Sequence, residues 1–452
     1  MDRSERALRM GTAPVLPLIF KMSLPAIFSM LVSALYNIVD SMFISWYAEE
    51  GLTAVSLAFP VQMLITAVGV GTSVGINSLI SRRLGERRQE EADSAASHGI
   101  VLAVLSAIPF IIFGLFFTRP FFNAFTGDAM VVEYGVQYLS IVMICSFAIL
   151  MEMAAEKTLQ ATGNMIAPMV SKLIGSVANL ILDPILIFGF MGIPAMGVTG
   201  AAIATVAGQF LAMGFLVFTL FTKSHAVSIH LKGFRFNKDT VKNIYVVGLP
   251  SIVMQAIGSV ASIGMNGILS GFSDMAVSVM GVYGKLQSFV FMPLFGLNQG
   301  LMPILGYNYG ARNKKRFTDA LKYAVIIAVC IMTFGTLLFF LFPRTLLSIF
   351  QASEEMMELG TIAFRAISVC FIPAAIGIST GTVFQAVGLG IKSLIVSLLR
   401  QLVCLLPLAY FLSKISLTAV WYAYPLAEVV SLAVTLLFLK QVYDSKIKPM
   451  GE

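Results

Sequence analysis

Apolar runs of about twenty or more residues recur from one end of this sequence to the other, separated by short polar breaks. Each run is long enough to cross the hydrocarbon of a bilayer as a helix. Taking the runs between breaks predicts twelve spans, at 14–46, 53–81, 96–118, 130–157, 164–190, 197–221, 241–270, 276–308, 317–342, 356–384, 391–412 and 416–439. The expected fold class is an all-α membrane protein of twelve transmembrane helices. Several runs exceed what a bilayer needs, which implies tilt or kinks, and Pro25, Pro60, Pro109, Pro184, Pro250, Pro373 and Pro425 sit where kinks could form.

Composition excludes the competing classes. Only 12% of the 452 residues are charged, about half of the ~25% usual in soluble domains. The formal charge of +7 sits in the gaps between apolar runs, so it reads as topology and no nucleic-acid partner is expected. Cys145, Cys330, Cys370 and Cys404 all fall inside apolar runs without CxxC spacing, and a structural role is expected for them. The first run lacks a small-residue cleavage site and is expected to be retained.

Charge placement predicts orientation. Arg3, Arg6 and Arg9 precede the first span; Arg82, Arg83, Arg87 and Arg88 follow the second. Lys223, Lys232, Arg235 and Lys238 follow the sixth, and Arg312, Lys314, Lys315 and Arg316 follow the eighth. The intervening loops carry Glu49, Glu50, Asp128, Asp274, Glu354 and Glu355 instead. By the positive-inside rule the basic side is cytoplasmic, with both termini there. The expected location is a bacterial cytoplasmic (inner) membrane, multi-pass.

Shifted by 225 residues, the sequence matches itself without a gap. Leu24-Pro25 meets Leu249-Pro250, Gly71 and Gly75 meet Gly296 and Gly300, Cys145 meets Cys370, and Gln160 to Gly163 meets Gln385 to Gly388. About 22 identities fall in roughly 140 aligned positions, close to twice chance for this composition. Six spans per half make a parallel repeat, a transporter architecture. The expected organisation is an amino-terminal lobe at 1–221, a cytoplasmic linker at 222–240 and a carboxyl-terminal lobe at 241–452.

No GxxxxGK[ST] phosphate loop is present, and His98, His225 and His230 are too scattered for a ligand set, so no catalytic, metal or cofactor site is expected. Ionisable residues inside spans are costly in hydrocarbon and mark cavities or partners. Asp40 in the first span and Asp183 in the fifth each lie about 10 Å from the outer end of their span, at 1.5 Å per residue. Thr205 has a similar depth, Asn179 shares a helical face with Asp183, and Tyr36 shares one with Asp40. Together they suit a proton or sodium site; as isolated polar groups they could instead serve helix packing.

The repeat weighs on that choice. Adding 225 converts Tyr36, Asp40, Asn179, Asp183 and Thr205 into Ala261, Met265, Cys404, Leu408 and Val430. Scaffold glycines and prolines repeat, but this polar set does not, which points to function rather than fold. Glu152 and Glu156 share a face of the fourth span beside Lys157, either lining a cation-attracting cavity or forming a helix-end ion pair. Lys285, Arg365, Arg400 and Glu428 lie within spans of the second half, where Glu428 could pair with one of the bases.

These residues resemble the multidrug and toxic compound extrusion family, in its DinF-like branch and among its MepA-like exporters. The likeness covers essentially the whole chain and rests on LPA at 24–26, ALYNIVDSMFI at 34–44, LQATGN at 159–164, ANLILDPILI at 178–187 and GAAIAT at 200–205. It implies two six-helix bundles around a V-shaped cleft, and antiport of cationic or amphipathic drugs against protons or sodium. Carried over, the cation site falls on Asp40, Asn179, Asp183 and Thr205 with Tyr36 beside it; Asn37, Met63 and Tyr138 border the cavity; and Pro25 is the point of helix bending. The NorM-like branch has acids in its seventh and tenth helices, where this chain offers Gln255 and no acid in ISTGTVFQAVG.

The expected function is therefore secondary multidrug export, with no cofactor besides the coupling ion and no obligatory protein partner, as a monomer in the lipid bilayer. Burial disfavours a charged carboxylate, so proton and cation can compete for the same acids. Flipping of a lipid-linked precursor is the alternative within transport, although its pyrophosphate would want lysine or arginine where this cavity offers acids. A membrane-embedded enzyme would need a nucleophile–base pair or metal cluster at one depth, and none is visible.

Overall fold

The computed structural model describes residues 3–190, 192–222 and 225–451; Lys223 lies outside the described residues. Ten helices among them are long and apolar enough to cross a membrane, and two bent helix pairs bring the number to twelve if each pair is one span. This is the all-α architecture that the hydropathy pattern predicts. The first six spans are Val15–Tyr47, Glu50–Gly85, Gln89–Phe116, the pair Ala129–Ile144 and Ser146–Ala161, Ile166–Phe188 and Gly197–Thr222. The second six are Lys238–Ser270, Asp274–Gly310, Lys314–Leu341, the pair Glu354–Ser368 and Phe371–Ala386, Gly390–Ser413 and Leu417–Ile447.

Backbone geometry repeats along with sequence. Arg87 (φ 58°) and Arg312 (φ 55°), 225 residues apart, are both left-handed where two helices turn back on each other. Gly163 (φ 82°) and Gly388 (φ 83°) do the same after the fourth and tenth spans, where glycine tolerates the conformation at no steric cost. The sharpest bends fall at the paired cysteines: the fourth span breaks by 44° between Ile144 and Ser146, the tenth by 47° between Ser368 and Phe371. Pro25, Pro60, Pro109, Pro184 and Pro250 are accommodated inside helices. Side-chain caps at Asp128, Ser273, Asn313, Ser353 and Ser416 satisfy helix N-termini, each worth about 1 kcal/mol.

The chain forms two compact units, one of Met1–Arg9 and Phe28–Gly248, the other of Met10–Ile27 and Leu249–Glu452. The first and seventh spans are thus divided between units, at points close to Pro25 and Pro250. The small-residue pairs explain the arrangement. In the first unit Gly71 and Gly75 admit the start of the seventh span: a Cβ on Gly75 would collide with the Ile244 carbonyl oxygen, and one on Gly248 would lie 3.1 Å from the Gly71 oxygen. In the second unit a Cβ on Gly296 would lie 2.7 Å from the Ile27 nitrogen, and one on Gly300 2.7 Å from the Ser23 nitrogen. The Ser23 hydroxyl donates to the Leu297 carbonyl at 3.2 Å. Small-xxx-small pairs permit such approach of backbones in a membrane.

The segment after the sixth span folds onto the third. Backbone N–H groups of Ser228 and His230 donate to Asp93 Oδ1 (2.8 Å) and Ser97 Oγ (2.9 Å), and that of Asn237 donates to His98 Nε2 at 2.8 Å. His98 Nε2 is therefore an acceptor, so its Nδ1–H donates to the Ser94 carbonyl at 2.7 Å. The Phe234 ring packs 4.7 Å from the imidazole, and Ile229 packs against a cluster that includes Leu216 and Leu220.

Candidate functional site

The candidate ion-binding residues all lie in the first unit. Asn179 and Asp183 are one turn apart on the fifth span and buried, Asp183 completely. The Asn179 Nδ2 is 3.5 Å from Asp183 Oδ1 and 3.4 Å from Thr205 Oγ1. With the amide turned over, its nitrogen donates to Asp183 Oδ2 at 3.0 Å and its oxygen accepts from the Thr205 N–H at 3.2 Å. The second orientation satisfies both ends of the amide, so Asn179 acts as a strut between the acid and the sixth span.

Asp40 reaches this pair from the first span. Its carboxyl lies close to that of Asp183, and Asp40 Oδ1 is buried with no hydrogen-bond partner. Ionised carboxylates only accept hydrogen bonds, so two of them side by side favour a shared proton or a bound cation. The cluster thus offers carboxyl, amide and hydroxyl oxygens to one proton or one hard cation.

Around it stand the two phenols. Tyr36 lies within electrostatic reach of Asp40, Asp183, Lys172 and Glu152. Tyr138, buried, has the Gln62 side chain near its hydroxyl and lies near Asp40, Tyr36 and Asp183. Asn37 and Met63 are exposed on the surface of their unit. Pro25 belongs to the second unit, two residues before the first span passes into the first.

Glu152 and Glu156 sit in a closed ionic network. Lys172 Nζ is 2.7 Å from Glu152 Oε1 and 3.8 Å from Glu156 Oε2, and Lys157 Nζ is 3.5 Å from Glu156 Oε1. Gln160 bridges the last two, donating to Glu156 Oε1 at 2.9 Å and accepting from Lys157 at 2.7 Å. Of the two arrangements the sequence left open, the paired one is what the geometry displays. Each of the two acids thus has a lysine within 4 Å. Lys172 was missed in the sequence reading, as was Gln62. The signal for Lys172 was spacing: it stands seven residues before Asn179 and eleven before Asp183, on the same helical face.

The equivalent positions of the second unit are apolar or small, with Ala261 and Met265 buried. Its own buried acid, Glu428, lies 3.7 Å from Arg400 Nη1, and Arg400 falls in a π-helical stretch, Leu399–Leu405. Arg365 donates to the Phe340 carbonyl at 3.0 Å, and Lys285 lies 6.0 Å over the Phe350 ring.

Such a chain is a polytopic membrane protein of two repeated halves, with an acidic pair built into the first half alone. Sequence comparison supplies the family: residues 25–185 and 250–411 each match MatE, and the chain belongs to that family of transporters, not enzymes. It is 26% identical to the FAD transporter of Shewanella oneidensis over 88% of both chains, and 24% identical to the multidrug export protein MepA of Staphylococcus aureus over 94% of both. Among solved structures, an outward-facing multidrug resistance MATE family transporter of the MOP superfamily superposes with a TM-score of 0.91. It is 28% identical and covers 98% of this chain and 99% of that one.

Proposed function

We propose that this protein is a multidrug antiporter of the bacterial cytoplasmic membrane, exporting organic cations in exchange for protons or sodium ions, with both termini in the cytoplasm. One observation carries the reading: the Asp40 and Asp183 carboxyls lie close together in the first unit, at positions where the other repeat has Met265 and Leu408. In this reading the acid pair holds the coupling ion. Asn179 and Thr205 fix the position of Asp183, Tyr36 and Tyr138 flank the pair, and Asn37 and Met63 contact substrate. Glu152 and Glu156, matched by Lys157 and Lys172, set the local field; a cationic substrate would have to displace a lysine to reach them. Loading the pair with an ion and binding a cation nearby then oppose each other, which is the requirement for exchange.

A second reading has one specific observation in its favour. Lys172, within electrostatic reach of Tyr36, would answer an anion once released from Glu152, and the Shewanella relative is named for FAD, an amphipathic anion. Proteoliposomes containing the purified protein separate the two. Efflux of a fluorescent organic cation and of FAD is followed under imposed proton and sodium gradients. Gradient-driven efflux of the cation and not of FAD supports the first reading; the converse supports the second. Movement of neither under any gradient rejects both.

A further inference from the structure

The two units treat one groove differently. In the first, the ends of the third and sixth spans near the basic loops are covered by the chain itself. The backbone of 228–237 is held on the third span by Asp93, Ser97 and His98, and Ile229 packs against a neighbouring cluster of Leu216 and Leu220 with Ala155, Leu159 and Ala167. The same helix ends in the second unit, those of the ninth and twelfth spans, enclose an open groove of about 400 Å³. Phe317, Leu321, Leu436 and Leu439 form its apolar bed, and Lys322 and Lys440 line it as well.

The side chains that differ between the units define what each groove can hold. Asp93 and Ser97, which accept backbone N–H groups in the first unit, correspond to Thr318 and Lys322 in the second. A lysine ammonium has donors only and cannot accept from a peptide. Apolar Phe215 corresponds to Lys440, so the exchange adds a second cation beside the same bed. Among the described residues, none that lines the groove is acidic. Both lysines are exposed and sit toward the basic-loop ends of their spans. There a long alkyl stem can lie on apolar surface while the ammonium rests at headgroup depth.

We propose that this groove binds an anionic phospholipid, an acyl chain on the leucine and phenylalanine bed and the phosphate between Lys322 and Lys440. With the orientation proposed above, the lipid belongs to the cytoplasmic leaflet. Basic pockets between helices at that level are suited to acidic headgroups. The assignment concerns a surface remote in sequence from Asp40 and Asp183, and its test does not depend on transport.

The test is native mass spectrometry of the purified protein, released from detergent after incubation with equimolar phosphatidylglycerol and phosphatidylethanolamine of matched acyl chains. The wild-type protein is expected to retain phosphatidylglycerol several-fold over phosphatidylethanolamine. The Lys322→Gln/Lys440→Gln variant should bring the ratio close to one, and Lys322→Arg/Lys440→Arg should restore it. Lys314→Gln/Lys315→Gln, outside the groove lining, should leave it unchanged. Leu436→Trp, which fills the bed, should lower retention of both lipids. Absence of a preference in the wild type, or a preference that survives in Lys322→Gln/Lys440→Gln, would overturn the assignment. Lys322 and Lys440 are exposed, so loss of fold does not confound their substitution, and thermal denaturation of each variant verifies this.

Discussion

The carboxyl of Asp40 on the first span lies close to that of Asp183 on the fifth, and the Asn179 amide holds Asp183. If this pair holds the coupling ion as one unit, an amide at either position imitates only its loaded form.

Asp40→Asn and Asp183→Asn should both fold and insert, because asparagine nearly matches a protonated aspartate in shape. Gradient-driven efflux from proteoliposomes is expected to fall severely in each. The double variant should be little worse, since groups acting as one unit are not additive. Placing an acid at the equivalent position, Met265→Asp, should not rescue either. Near-normal efflux in both single variants would dismiss the pair as the coupling site.

The Lys172 network makes a separate, thermodynamic prediction. Lys172→Gln leaves Glu152, 4% exposed, without its partner, and breaking a buried pair from one side costs on the order of 3–5 kcal/mol. Lys172→Gln/Glu152→Gln should recover most of that loss. Thermal unfolding in detergent reads the cycle; a single variant as stable as the wild type would show that the ammonium contributes nothing there.

Close backbone approach predicts where methyl groups are refused. Gly75→Ala and Gly300→Ala each press a Cβ into backbone and should destabilise by ~1–3 kcal/mol. Gly281 is helical with nothing within 4 Å, so Gly281→Ala should instead stabilise by up to about 1 kcal/mol. Size-exclusion profiles after graded heating rank the three; a Gly75→Ala protein as robust as Gly281→Ala would refute the packing argument.

Orientation is checked chemically. In a background lacking Cys145, Cys330, Cys370 and Cys404, Arg87→Cys and Arg312→Cys are expected to react with impermeant maleimide only from the cytoplasmic side. Glu50→Cys and Asp274→Cys should react only from outside. Labelling of Arg87→Cys and Arg312→Cys from opposite sides would contradict both the orientation and the parallel repeat.

The spans were legible because hydropathy is local: a run such as that before Tyr47 announces a helix whatever it packs against. The matched turns at Arg87 and Arg312 follow from the same gapless offset. Partnerships between distant segments leave no such trace. Nothing near Gly75 names Ile244 as its neighbour, and nothing near Glu152 names Lys172. The polar stretch after the sixth span reads as a linker between lobes, and nothing in it announces that three of its backbone N–H groups are committed to Asp93, Ser97 and His98. For the site, residue types and depths placed Asp40, Asn179, Asp183 and Thr205 on one list. Whether Glu152 and Glu156 faced a ligand or a lysine was a question of side-chain direction, which depth alone does not answer.

The glycine faces at Gly71 and Gly296 also bear on ancestry. A polypeptide of one repeat would carry the notch on its second helix, but the segment that fills it comes from the leading helix of the other repeat. Such a half would be finished only in pairs, each copy lending its leading segment to its twin. Duplication and end-to-end fusion would then have preserved that loan as a covalent fact. The two halves of the present chain are therefore not separable products, and an amino half expressed alone is expected to be captured by its missing partner when both are made in one cell.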